Sequence, residues 1–387
     1  MDSTSSHPLR PQDVAALDAL PATAAFLADD YEKGFHKGIQ LYLSVDGEPV
    51  ADLAYGAVGE QPLTTNSLLH WVCASKPVTT VAIGLLAEQG LVDFADRVTD
   101  YVPEYGKGGK EEARLEHLLT HSMPHQDRRT QYNLGLGWEE NLELACATEV
   151  DAPPGAHRAY ATWINAQVLA EVVARVSGTT FDDFVTRNVL HPLGMRDTWF
   201  GMTREDYEKV GDSILPMTFA DANMRHGYGE HSKNAYDGLI NVYPQVRMAS
   251  LPSSGAKGPM RDLAKLYETL AGTRTAEGSA VDWTSVAARL TEHHEVDEPI
   301  APDGAWYGDW AINDMDWSHG FLRDRGMFCQ EASPLVFGHP GEKVIMALGD
   351  PGHGLAMAFS FNSIVDPAFG NPRMNLLCRA LYQDALG

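Results

Sequence analysis

Apolar residues recur along this chain with two different periods, and the changes of period divide it into segments. From Gln12 to Lys33, Val14, Leu17, Leu20, Ala24, Phe26 and Leu27 repeat at helical spacing with a break at Pro21, which predicts an amphipathic helical start. The period then falls to two. Residues 38–45 and 49–54, separated by Asp46-Gly47, predict a hairpin closed by a tight turn. Helical spacing returns over residues 73–89, with Val78, Val81, Ala82, Leu85 and Leu86 on one face and Gly90 as the stop.

The stretch from Leu91 to Pro299 reads as helices joined by long loops, the clearest helices being 160–176, ending at Gly178, and 261–270. Alternation reappears at 335–337, 344–349 and 355–361, with Asp350-Pro351-Gly352 as a turn, and a helix over 372–385 closes the chain. Strands at both ends with helices between them predict an α/β (α+β) fold in one domain over residues 1–387. Its sheet lobe comes from 1–70 and 330–387, and a mainly helical lobe with the cleft loops from about 71–329. The cleft between the lobes is the expected site.

Composition narrows the partners. With 387 residues, 44% hydrophobic and 21% charged, the chain has an ordinary globular balance. A formal net charge of −24 excludes nucleic acid and anionic membrane as expected partners, because phosphate binding needs the opposite field. An acidic surface favours cationic co-substrates or is simply a solvated face. Cys73, Cys146, Cys329 and Cys378 are too scattered for a zinc knuckle or a disulfide framework and read as free thiols. Residues 1–13 lack a secretory pattern and no window reaches the ~20 apolar residues of a membrane span, so a cytoplasmic protein is expected. His293-His294-Glu295 with Asp297 reads as a solvated loop. Neither a metal nor a cofactor is expected.

The candidate chemistry lies at Cys73-Ala74-Ser75-Lys76. A nucleophile followed three residues later by lysine places the amine beside the attacking atom after one helical turn. The helix N-terminus and the ammonium both make Cys73 more reactive than an isolated cysteine. Ser75 is the poorer candidate, because neighbouring residues on a helix point ~100° apart. These residues alone fit equally well a small buried hydrophobe beside a surface charge.

The surrounding motifs resemble the serine β-lactamase and penicillin-binding-protein superfamily, in particular class C β-lactamases, family VIII carboxylesterases and D-alanyl-D-alanine peptidase relatives. Leu69-His70-Trp71-Val72-Cys73-Ala74-Ser75-Lys76-Pro77 occupies the nucleophile slot, with cysteine where the family has serine. Gly90-Leu91-Val92-Asp93, Leu118-Leu119-Thr120-His121-Ser122 and His191-Pro192-Leu193-Gly194-Met195-Arg196-Asp197-Thr198 resemble further family segments. The resemblance implies a β-lactamase-like fold with an antiparallel sheet. It also implies a second catalytic element at Tyr160-Ala161-Thr162, one helix ahead of Val176-Ser177-Gly178, and a third at His339-Pro340-Gly341. Tyr160 would then shuttle protons with Lys76, and His339 would position substrate or act electrostatically. Thr162, Gly341 and Ser254 of Leu251-Pro252-Ser253-Ser254-Gly255 would contact substrate, with the backbone N–H groups of Cys73 and of a residue shortly after Gly341 holding the carbonyl oxygen. Trp310, in the aromatic stretch from Trp306 to Trp317, would wall the acyl pocket, although core packing explains such aromatics equally well.

The departure from serine bears on the reaction. A thiol needs little help to ionise, and thioesters prefer amines over water more strongly than oxoesters do. The implied function is a transacylase that forms an acyl-thioester on Cys73 from a small-molecule ester or thioester donor. The acyl group passes to an amine or alcohol acceptor, as in natural-product assembly. An esterase or amidase of the same fold is the alternative. A binding protein that has lost catalysis, or a cysteine installed in a serine enzyme, also remains open at this point.

Overall fold

The computed structural model describes residues 10–125, 136–221, 224, 244–292, 316–323 and 325–387. The strands run in chain order as β1 (Gly38–Val45), β2 (Glu48–Val58), β3 (Gln61–Pro62), β4 (Leu69–His70) and β5 (Thr218–Phe219). They continue with β6 (Lys257–Gly258), β7 (Phe337–Gly341), β8 (Ile345–Asp350), β9 (Leu355–Phe361) and β10 (Ser363–Ile364). Six of them form an antiparallel sheet ordered β3-β2-β1-β9-β8-β7, so the two chain ends meet at its centre, where Leu41 faces Phe359. Two short ribbons stand apart, β4 with β6 and β10 with β5.

The longer helices are α1 (Pro21–Glu32), α2 (Lys76–Glu88), α3 (Trp138–Ala147), α4 (Ile164–Ser177), α5 (Met260–Leu270), α6 (Trp283–Thr291) and α7 (Pro367–Leu386). Strand β1 alternates apolar and polar residues, yet it is buried on both faces. Helix α5 resolves the conflict. Gln40 Oε1 accepts the Met260 N–H at 2.5 Å, and Tyr42 donates to Glu268 at 3.0 Å, so these two inward polar groups find partners on that helix. Burial and the Glu268 carboxylate push the Tyr42 phenol above its usual range.

Helix α1 has no side-chain cap of its own at Leu20. Its exposed N–H groups are met from the other end of the chain, where the Asp384 carboxylate accepts from Ala22 at 3.0 Å and Thr23 at 2.8 Å. A buried polar cluster holds the same junction. Asp30 binds His36 at 2.6 Å, His36 reaches the Tyr55 hydroxyl at 2.6 Å, and Arg373 donates to the Phe35 carbonyl at 2.7 Å.

Several boundaries differ from the sequence reading for identifiable reasons. The helical start is two 3₁₀ turns, Pro11–Asp13 and Ala15–Ala19, before α1 begins at Pro21, which suits the first helical position. Residues 72–75 form a 3₁₀ turn, and α2 begins at Lys76 rather than Cys73. Helix α4 starts at Ile164, leaving Tyr160 on the preceding loop, and ends on Gly178 in the left-handed conformation at φ 68°. Strand β7 runs through Gly341. Pro340 is tolerated because β7 is the last strand of the sheet, where a missing N–H breaks no second ladder. Helix α7 starts five residues earlier than the pattern over 372–385, with Asp366 capping the Ala368 N–H at 3.0 Å and Pro367 at its first position.

Candidate active site

The nucleophile turn hangs on the β4/β6 ribbon. Leu69 pairs with Gly258 and His70 with Lys257. Trp71 continues the ribbon, its backbone N–H donating to Ala256 at 2.9 Å and its indole to the Gly258 carbonyl at 2.9 Å. The chain then reverses at Val72, whose φ of 47° is rare for a β-branched residue and costs roughly 1–2 kcal/mol. This presents Cys73 half-exposed, while Cys146, Cys329 and Cys378 are buried.

The loop between Leu251 and Ala256 is sewn to the same turn. Ser75 Oγ accepts the Ala256 N–H at 3.1 Å, and Thr79 donates to the Pro252 carbonyl at 2.9 Å. Lys76 Nζ donates to the Ser253 carbonyl at 3.3 Å. Ser75 is therefore a buried structural hydroxyl. Lys76 is 5% exposed, and burial lowers its pKa from the ordinary 10.5, opposed first by the charge of the Cys73 sulfur and then by the Glu342 carboxylate. A lysine that sheds its proton more readily can act as a base toward a nearby thiol.

Tyr160 forms one wall of the lysine's chamber, its ring centroid 5.2 Å from Lys76 Nζ. It is fixed within an aromatic cluster. Its ring lies 4.6 Å from His121, 5.6 Å from Trp317 and 6.3 Å from His339. His121 Nδ1 accepts from the Ala161 N–H and from Asn165 Nδ2, each at 3.4 Å, so its proton sits on Nε2. His339 Nδ1 lies 2.7 Å from the Pro340 carbonyl and donates to it. Burial and nearby Lys76 lower His121 well below the usual histidine range and His339 to about 3. Both imidazoles are neutral at physiological pH, which disfavours a cationic role for His339.

Gly341 closes the site from the sheet side. A Cβ there would stand 2.6 Å from the Trp71 carbonyl and 3.3 Å from the Ala74 nitrogen, so only glycine lets β7 approach the nucleophile turn. Beyond it the Val344 N–H donates to the Gly341 carbonyl at 3.1 Å, closing a two-residue turn on Glu342 (φ 44°) and Lys343 (φ 58°). Positive φ at both centres marks the primed hairpin turns, normally built from Asn and Gly. Among the described residues five non-glycines have positive φ, and Val72, His121, Glu342 and Lys343 are four of them. Such strain concentrates where surrounding structure imposes a working geometry.

The sequence-derived site residues Cys73, Lys76, Tyr160, His339 and Gly341 thus converge. Thr162 is half-buried two residues beyond Tyr160, and Ser254 is half-buried in the turn where its N–H donates to Leu251 at 3.1 Å. Trp310 lies outside the described residues, as do Trp306 and the His293-His294 pair. The sequence reading did not pick out His121 as a site residue, and it placed Trp317 only at the end of the aromatic stretch expected to wall the pocket. His121 carried a signal, since it sits inside the Leu118–Ser122 motif, whereas nothing local distinguishes Trp317 from its neighbouring tryptophans.

Fold and site together bring a half-exposed thiol, a buried lysine and a tyrosine ring to one turn beside the edge strand of the sheet. The chain matches the Beta-lactamase family over residues 24–376 and belongs to it. Its relatives include the Esterase/beta-lactamase LipL of Mycobacterium tuberculosis, 22% identical over 350 residues, which span 85% of this chain and 78% of that protein. The ML-236A carboxylate methylbutanoyltransferase mlcH of Penicillium citrinum is 24% identical over 228 residues, 48% of this chain and 54% of that protein. A crystal structure of a family VIII carboxylesterase superposes with a TM-score of 0.74 at 22% identity, covering 95% of this chain and 97% of that one. The family includes hydrolytic and acyl-transferring members. No helix among the described residues is long and apolar enough to cross a membrane.

Proposed function

We infer that this protein is an acyltransferase that carries its acyl group as a thioester on Cys73. The observation that carries the reading is a half-exposed thiol three residues ahead of a buried, deprotonation-prone Lys76, at the position this family's nucleophile motif occupies. The Cys73 sulfur attacks the carbonyl carbon of an ester or thioester while Lys76 takes the thiol proton. The carbonyl oxygen is held by the N–H groups of Cys73 and of the turn after Gly341. Collapse expels the leaving group, which recovers a proton through Lys76 and Tyr160. An amine or alcohol then attacks the thioester, loses its proton to the same pair, and releases Cys73 as the leaving thiol. The name of the methylbutanoyltransferase relative supports transfer, and that of the esterase relative supports hydrolysis on the same frame.

Intact-protein mass spectrometry after mixing with activated esters tests this. The expected result is one acyl adduct on Cys73 that persists in buffer and discharges to an added amine. Cys73→Ser should shift discharge from amine toward water. Rapid discharge to water in the unmodified protein would make it a thiol esterase. Failure of a broad ester and thioester panel to acylate Cys73 would remove the enzymatic reading in favour of a binding role.

A further inference from the structure

Beside Lys76, between α2, α4 and the segment that holds His121, lies a cavity of about 20 Å³, enough for one water. Lys76, Thr79, Thr80, His121 and Asn165 line it, and Gly320 closes on them. A Cβ on Gly320 would stand 2.2 Å from Thr80 Oγ1, so that wall is bare backbone. Asn165 is 2% exposed, and its neighbours fix which way its amide points. Nδ2 donates to the Leu118 carbonyl at 2.9 Å and to His121 Nδ1 at 3.4 Å. This leaves Oδ1 as a buried acceptor with no hydrogen-bond partner among the described residues. Buried acceptors of that kind are normally met by protein or by an ordered water.

Lys76 has the complementary need. Its ammonium form carries three N–H donors and no acceptor. The Ser253 carbonyl takes one at 3.3 Å, and the sulfur of Cys73 takes a second once its proton has moved to the amine. We propose that the cavity binds one water, which accepts the third N–H of the Lys76 ammonium and donates to Asn165 Oδ1, making Asn165 a positioning residue for the base. The inference rests on Lys76 taking the proton of Cys73. No proton travels along the bridge. The water keeps both of its own and stabilises the ammonium while the sulfur carries the negative charge.

A high-resolution crystal structure of the unmodified protein tests the site. The expected result is an ordered water within hydrogen-bond distance of both Lys76 Nζ and Asn165 Oδ1; a cavity without water density, or a water on only one of the two groups, overturns it. The consequence for the base is read without turnover, as the rate at which iodoacetamide alkylates half-exposed Cys73 in a double-mutant cycle. Ala166 also lines the cavity, and Ala166→Val fills it from α4 without altering the Asn165 amide. The substitution should slow alkylation about tenfold, as expected for one hydrogen bond to a charged group, and less than about twofold in a Lys76→Met background. Equal slowing in both backgrounds, or a change within about twofold in the first, overturns the role of the water. Should Ala166→Val fail to fold, Asn165→Leu, which removes the acceptor, takes its place in the cycle with the same expected and overturning results. Neither measurement uses a substrate. A failed ester panel therefore removes the acyl-transfer reading, while the water and the cycle still decide the role of Asn165.

Discussion

Replacing Lys76 with methionine separates what the lysine does for folding from what it does for chemistry. The substitution removes a hydrogen bond to Ser253 at 3.3 Å, a cation–π contact at 5.2 Å to Tyr160 and the electrostatic attraction to Cys73. Each is worth about 1 kcal/mol. Against this, methionine fills a similar volume and ends the desolvation of a buried amine, a change that is commonly neutral or stabilising by about 1–4 kcal/mol. The unfolding free energy should therefore stay within about 2 kcal/mol of the original, read from a denaturant midpoint. Turnover has no such compensation. Loss of a positioned proton acceptor should lower kcat/KM for an activated ester by about 10²–10⁴, or roughly 3–5 kcal/mol of transition-state stabilisation. Alkylation of Cys73 by iodoacetamide should continue. In the unsubstituted protein the acid limb of kcat/KM should fall below the ordinary lysine value of 10.5, since burial favours the neutral amine. Glu342 favours the ammonium, so Glu342→Gln should move that limb to still lower pH. A Lys76→Met protein that is folded and turns over within about threefold of the original would refute the base assignment, as would a limb that moves upward in Glu342→Gln.

Two further predictions concern the frame around the site. Gly341→Ala inserts a methyl 2.6 Å from the Trp71 carbonyl, so β7 and the nucleophile turn must separate. It should cost about 1–3 kcal/mol of stability and at least ~10² in kcat while alkylation of Cys73 survives; normal turnover would show that the turn after Gly341 does not hold the carbonyl oxygen. Lys257 is fully buried, donates to the Phe200 carbonyl, and burial lowers its pKa from 10.5 to about 7. Between those values the unfolded chain binds the extra proton, so this group makes stability rise with pH across that window. Lys257→Met should be more stable than the original at pH 7 by about 1–4 kcal/mol, with the advantage shrinking toward pH 10.5. A constant difference across the window would contradict the burial account.

Legibility in the sequence followed the range of the interactions involved. Cys73 and Lys76 are readable because one turn of chain fixes their relation, and the β1–β2 hairpin because Asp46-Gly47 specifies its own turn. Tyr160 was recoverable from its motif, but its helix was drawn too early. The loop before Ile164 is shaped by His121, whose Nδ1 takes the Ala161 N–H at 3.4 Å, and local periodicity does not report a partner that far away in sequence. Trp317 belongs to the site only because its ring lies 5.6 Å from Tyr160 and 5.5 Å from His339. Glu342 was invisible for a different reason. A primed turn normally announces itself with Asn or Gly, and here packing against Trp71 imposes the conformation on residues that do not prefer it.

The meeting of the chain's two ends at the sheet centre sets an order of events during synthesis. Asp384 caps a helix whose N–H groups lie 362 positions earlier, and β1 has no second neighbour until β9 has been made. Contacts of such sequence separation form late. The turn that bears Cys73 leaves the ribosome early but gains its sheet-side wall only with Gly341 of β7. The folded site is thus a product of finished chains. A ribosome-bound fragment ending before β7 carries Cys73 and Lys76 without the strand that packs against their turn.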